Sequence, residues 1–174
     1  MKIKLLMASA ILGAGLLGAQ ANEFKTYKDI TKVLKAENKK AGNFATADEV
    51  KAALDAKDWI VADVRTIEEW NAAHLKGSVR VGRQAPEEFL ESNVLDLDGN
   101  FVKQNMIVVC NSASRASIEA ETFRKMGFKT VKIYDIYSWI DECNPVQTGY
   151  SKKSDKSGTK NKFGAFYAEH CYKK

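Results

Sequence analysis

Two short apolar runs do most to limit what this chain can fold into. Trp59 to Val64 and Met106 to Val109 have strand length, polar boundaries and almost no polar residue inside. A strand that is apolar on both of its alternating sides has to be covered on both faces. Val131 to Tyr134 reads as a third strand, and Val79 to Val81 as a short one. Helix signals lie between them. Thr46-Ala47-Asp48-Glu49 and Thr66-Ile67-Glu68-Glu69 are capping boxes, in which a Thr hydroxyl and a Glu carboxylate each satisfy an orphan helix N–H. The first opens a short helix with Val50, Ala53 and Leu54 as its buried stripe, and the second a helix to about Ala73. Pro86-Glu87-Glu88 puts proline and acids into a first helical turn. A further helix runs from about Arg115 to Met126 and stops at Gly127. Strands alternating with helices predict an α/β fold, a central parallel sheet with helices on both faces.

The two ends of the chain read differently from this body. Met1 to Lys4 hold two lysines, Leu5 to Gly18 hold no charge, and Ala19-Gln20-Ala21 offers small residues where a signal peptidase reads. This predicts a cleaved export signal over residues 1–21 and a periplasmic protein. The apolar run is shorter than the roughly 20 residues of a spanning helix, which argues against a membrane anchor after cleavage. Residues 22–43 form a lysine-rich amphipathic extension with Phe24, Tyr27, Ile30, Thr31, Val33 and Leu34 at helical spacing, ending near Gly42. Residues 150–174 are a basic tail: a polar linker from Ser151 to Lys162, then Phe163, Phe166, Tyr167 and Tyr172.

The formal charge of the 174 residues is +5. The tail holds seven lysines against Asp155 and Glu169, and the export signal two more lysines, which leaves residues 22–149 at −2. A broad nucleic-acid face is therefore not expected. With 45% hydrophobic residues a disordered chain is excluded, and three cysteines are too few for a disulfide-built miniprotein.

The chemistry is expected at Cys110, delivered by the second apolar run to the start of the loop Asn111-Ser112-Ala113-Ser114-Arg115. Ligands of open α/β sheets bind at the carboxyl ends of strands. Loop amides and the following helix N-terminus make an anion cradle there, and their field favours thiolate over thiol. Arg115 adds a full charge and up to five donors. The competing reading is a buried cysteine followed by an ordinary loop.

At these residues the chain resembles the rhodanese family. Asp63-Val64-Arg65, Glu68-Glu69-Trp70 and Ala73-His74-Leu75-Lys76-Gly77-Ser78 are similar to its first signature. Val108-Val109-Cys110, Arg115, Met126-Gly127-Phe128 and Val131 to Trp139 are similar to its second half. The resemblance implies a rhodanese-like domain over residues 44–149, with Cys110 holding sulfane sulfur as a persulfide and residues 111–115 forming its cradle. It implies no cofactor and no metal. The donor would be a small sulfur-containing anion, thiosulfate or polysulfide, and the acceptor a thiol, of a protein or otherwise, or cyanide. Four residues separate Cys110 from Arg115. The family's phosphatase-like members have a loop one residue longer, so the shorter loop points to sulfur transfer. Departures from the family are Ala113 for a usual Gly, Ala116 for a usual Ser, and Asp135-Ile136 near the place of a double Gly. A carrier or binding module without turnover is the alternative. A thiol–disulfide oxidoreductase would need a C-x-x-C motif, which is absent.

Asp63 and Arg65 are expected to be charge partners that fix a turn, and His74 a turn anchor. Trp59, Trp70 and Trp139 are expected in the core. Cys143 and Cys171 are expected to pair in an oxidising compartment, clipping the tail to the body and leaving Cys110 free. The rival is a metal site using His170 and Cys171, whose adjacency does not suit zinc.

Overall fold

The structure is a computed structural model that describes residues 24–149 and 167–172. The expected export signal, the linker 151–162, Phe163 and Phe166 lie outside the described residues. The body alternates helix and strand: α1 Tyr27–Lys40, α2 Ala47–Asp55, β1 Trp59–Asp63, α3 Ile67–Ala72, β2 Val79–Arg80, α4 Pro86–Val94, β3 Asn105–Cys110, α5 Ser114–Lys125, β4 Thr130–Asp135 and α6 Ile136–Asp141. A short 3-10 turn, Glu169–Tyr172, lies near the C-terminus.

The four strands form one parallel sheet in the order β2-β1-β3-β4. Val61 lies opposite Ile107, and Val108 opposite Ile133. The period-2 alternation of the strands explains why β1 and β3 are apolar almost throughout. Ile60, Ala62, Met106, Val108 and Cys110 face one core with Leu90 and Val94 of α4 and Ala116, Ala120 and Phe123 of α5. Val61, Ile107 and Val109 face a second core with Val50 and Ala53 of α2 and Ile136 and Trp139 of α6. The sheet is thus covered on both faces. Phe123 is fully buried, and truncating a side chain of that size in a core costs about 3–5 kcal/mol.

Both capping boxes form. Thr46 Oγ1 accepts from the Glu49 amide while the Glu49 carboxylate accepts from the Thr46 amide, and Thr66 and Glu69 repeat the arrangement. A third box, Thr26 with Asp29, opens α1.

Two features differ from the sequence-based expectation. Of the positions expected to line one face of α1, only Thr31 is buried. Phe24, Ile30 and Val33 are exposed, whereas Thr31 and Asn38 are buried. The helix rests on α5, and Asn38 Oδ1 accepts a 2.6 Å bond from Arg124 near the end of that helix. A polar anchor sets the rotation of α1 and turns its larger side chains outward. The second difference is α6, which follows β4 directly. Asp135 caps it, accepting from the Ser138 amide at 2.8 Å and the Ser138 hydroxyl at 3.0 Å. No described helix is long and apolar enough to cross a membrane.

Candidate active site

Cys110 is the last residue of β3, and strand alternation turns its side chain toward α5. It is a free thiol and 1% exposed. The chain then reverses within three residues. Ala113 takes the left-handed conformation, with φ 61°, at the N-cap of α5. Its carbonyl accepts from the Ser117 amide at 2.9 Å and the Ser117 hydroxyl at 2.7 Å, which pins the turn. A side chain in that backbone region costs ~1–2 kcal/mol, so the missing glycine leaves strain in the loop.

No side chain caps α5. Its first-turn amides are therefore available, and the Ala116 N–H donates to Cys110 Sγ at 3.4 Å. The positive end of the helix is directed at the sulfur, where it stabilises negative charge.

The side chains of the loop form a ring of charge around this backbone cradle. Arg115 donates to both oxygens of Glu69, from Nη1 at 2.6 Å and from Nη2 at 2.7 Å. Asn111 Nδ2 donates to Glu69 Oε1 at 2.5 Å. Asn111 Oδ1 accepts from Arg65 Nη1 at 3.3 Å. Arg65 in turn grips Asp63 through Nε and Nη2, and also donates to the Ala73 carbonyl. Asp63 is fully buried and Arg65 is 3% exposed. The Arg115 guanidinium beside Glu69 is the main cause that holds the Glu69 carboxyl at about 2. The same ion pair raises Arg115.

This arrangement corrects one expectation. Arg115 is not a free five-donor fork, because two of its nitrogens are committed to Glu69. Asn111 likewise braces the ring. Ser112 is exposed at the loop crest, and its hydroxyl lies 3.5 Å from that of Ser114. The sequence places Glu69 in a capping box and in the Glu68-Glu69-Trp70 motif, but neither assigns it a tie to Arg115. The capping box accounts for a Glu at that position, so its spacing carried no sign of the second bond. Lys35 was also missed. From α1 its Nζ donates to the Ser112 carbonyl at 3.0 Å. No sequence signal could have found a contact across 77 residues.

His74 is a turn anchor by geometry. Its Nδ1 lies 2.9 Å from the Trp70 carbonyl, its ring stacks on Trp70 at 4.0 Å, and its backbone pairs with Gln147. Burial pushes the imidazole below its ordinary value. Trp139 is buried and donates to the Pro145 carbonyl, while Trp59 and Trp70 are partly buried. A cleft of about 600 Å³ lies where the turns after β1 and β2 meet α4, with Thr66, Arg80, Arg83 and Phe89 among its walls.

Cys143 and Cys171 are joined by a disulfide, with their Cα atoms 5.6 Å apart. With His170 they bring three ligand-type atoms within 4.8 Å of one another. Both sulfurs are committed to the bridge, which leaves the imidazole as the one available donor of the three.

Comparison with known proteins places this geometry. The family model described as "Rhodanese-like domain" matches residues 46–139, more than half of the chain. A curated relative, "Putative sulfur carrier protein YrkF" of Bacillus subtilis, is 34% identical over 71 residues. That match covers 41% of this chain, which spans about a third (35%) of the relative. Among solved structures, the polysulfide-sulfur transferase homodimer of Wolinella succinogenes superposes with a TM-score of 0.51 at 22% identity, covering 72% of this chain and 94% of that one. The BH2092 protein of Bacillus halodurans gives a TM-score of 0.51 at 21% identity, covering 68% and 86%. At these identities the two structures show a shared fold.

Proposed function

Because the chain belongs to the rhodanese-like domain family, we propose that it is an exported sulfurtransferase that carries sulfane sulfur on Cys110. One observation carries the reading: a strand-end thiol that receives the Ala116 amide of an uncapped helix at 3.4 Å. The Cys110 thiolate attacks a sulfane sulfur of the donor. A new S–S bond forms at Cys110 and the donor's own S–S bond breaks. Its electron pair leaves with the donor remnant, sulfite from thiosulfate or a polysulfide shorter by one sulfur. The persulfide anion then sits where the thiolate sat, held by the same amides. An acceptor thiolate attacks the outer sulfur, takes it, and returns Cys110 as thiolate. Cyanide accepts in the same way and leaves as thiocyanate. No proton has to move in either half, so no general base is required.

Burial of Cys110 limits the first half to slender donors, and polysulfide or thiosulfate fits that limit. The basic, apolar first 21 residues support export, and the Cys143–Cys171 bridge suits an oxidising compartment.

A second reading, a sulfur carrier without meaningful turnover, is favoured by the 1% exposure of Cys110, because an acceptor must reach a sulfur that lies under the loop. The two readings share the persulfide and differ in release. Incubation with polysulfide or thiosulfate should add about 32 Da, one sulfur atom, to Cys110. The Cys110→Ser protein should gain nothing while staying folded. Sulfur transfer by folded Cys110→Ser, or no mass gain by wild type with either donor, would overturn the assignment. Addition of a thiol acceptor should then reset the mass of an enzyme, and leave that of a carrier unchanged.

A further inference from the structure

We propose that Lys35, on a helix outside the matched family domain, is the anion-binding residue that fits the Cys110 cradle to negatively charged sulfur donors. The proposal deepens the sulfur-transfer reading and rests on it for the identity of the donor.

Three observations carry it. The first is position. Helix α1 ends before residue 46, where the family match begins, yet it is fixed to the domain through buried Thr31 and Asn38 and through the Asn38–Arg124 bond. From that platform the Lys35 ammonium reaches the cradle loop and donates to the Ser112 carbonyl, two residues beyond Cys110.

The second is charge. The arginines around the loop are neutralised, Arg115 by Glu69 and Arg65 by Asp63. Among the described residues the Lys35 ammonium bonds only to that carbonyl. An ammonium has three donors, so two remain for a ligand, along with its full charge.

The third is the surrounding field. Residues 22–149 carry a net −2, and a dianion approaching such a surface needs a local cation. Lys28 and Lys32 stand seven and three residues before Lys35, on the same flank of α1, and both are exposed. They extend the positive potential outward from the loop. The donor in this picture is a linear or compact sulfur anion whose far end rests against Lys35 while its sulfane sulfur meets Cys110. Polysulfide and thiosulfate share that chemistry.

The test uses the full mature chain with Lys35→Gln and Lys35→Arg. Alkylation of Cys110 by anionic iodoacetate and by neutral iodoacetamide isolates the charge effect and does not depend on sulfur transfer. Lys35→Gln should lower the iodoacetate-to-iodoacetamide rate ratio about threefold to fivefold, the range of a partly exposed charge contact. Lys35→Arg should restore it. The KM for thiosulfate and for polysulfide should rise by a similar factor in Lys35→Gln with kcat little changed. Added salt should mimic the substitution in wild type. An unchanged ratio in folded Lys35→Gln overturns the proposal, as does a ratio in wild type that salt leaves untouched. If neither donor loads Cys110, the sulfur-transfer reading fails, and the alkylation ratio still decides the role of Lys35.

Discussion

Glu69 holds Arg115 through both terminal guanidinium nitrogens, at 2.6 and 2.7 Å, across 46 residues of sequence. The pair joins the N-terminus of α3 to the first turn of α5, and Asn111 closes the triangle on Glu69. Glu69→Gln should therefore loosen the cradle and release charge into it. We expect a loss of about 1–2 kcal/mol in urea unfolding, as for a charge-assisted bidentate contact that is only partly exposed. We also expect faster alkylation of Cys110 by iodoacetate, because the Arg115 charge is no longer cancelled. A variant as stable as wild type, with the same iodoacetate rate, would mean that the pair does neither job.

Acid should weaken the fold in two stages. His74 is held below its ordinary 6.5 by burial, and Glu69 is held below its ordinary 4.5 at about 2, chiefly by Arg115. Both groups have depressed values in the folded state, so the unfolded chain binds the extra protons. Their contributions are complete above the ordinary values and are lost as pH falls through the folded ones. Thermal midpoints should decline gently below pH 6.5 and more steeply between 4.5 and 2. Glu69→Gln should remove much of the second slope. A curve of the same shape in that variant would assign the acid sensitivity elsewhere.

Ala113→Gly should stabilise the protein. Glycine relieves ~1–2 kcal/mol of left-handed strain at φ 61°. It gives back a part through the greater freedom of the unfolded chain, about 0.4–1 kcal/mol. A net gain of up to about 1 kcal/mol in chemical unfolding is expected. A clear loss would show that the Ala113 methyl, 2% exposed beside Cys110 in the core, contributes packing that outweighs the strain.

The bridge between Cys143 and Cys171 leaves one titratable thiol. Denatured, non-reduced protein should react with one equivalent of thiol reagent per chain, and peptide mapping should find it on Cys110. Three reactive thiols would dispose of the disulfide. After mild reduction, proteolysis should begin between Ser151 and Lys162 while the sheet domain persists.

The sheet was legible in the sequence because it is specified locally. Val61 and Ile107 serve one core while Ile60 and Val108 serve the other, so two-sided apolarity in the runs reported both faces at once. Thr46 and Thr66 marked two helix starts because a capping box is complete within four residues. The site was legible at Cys110, whose strand-end position follows from the same runs. What escaped depended on distant partners. Of the positions at helical spacing along α1 only Thr31 is buried, and Asn38, which that pattern does not include, is buried with it, because Arg124 supplies a hydrogen-bond partner that no local pattern encodes. Helix α6 is six residues long, too short to show a helical period, and its cap at Asp135 is one acidic residue at the end of a strand. The ties of Arg115 to Glu69 and of Lys35 to Ser112 span 46 and 77 residues. They arise only when α1 and α3 are brought to the same loop.

The disulfide has a further consequence for how the chain responds to a protease. Cys143 and Cys171 are 28 positions apart, so the segment between them is a covalent ring, joined once through the backbone and once through sulfur. A single cut anywhere in that ring opens it without releasing a fragment. The severed molecule keeps its mass, apart from one water gained, and separates into two pieces only when a reductant arrives.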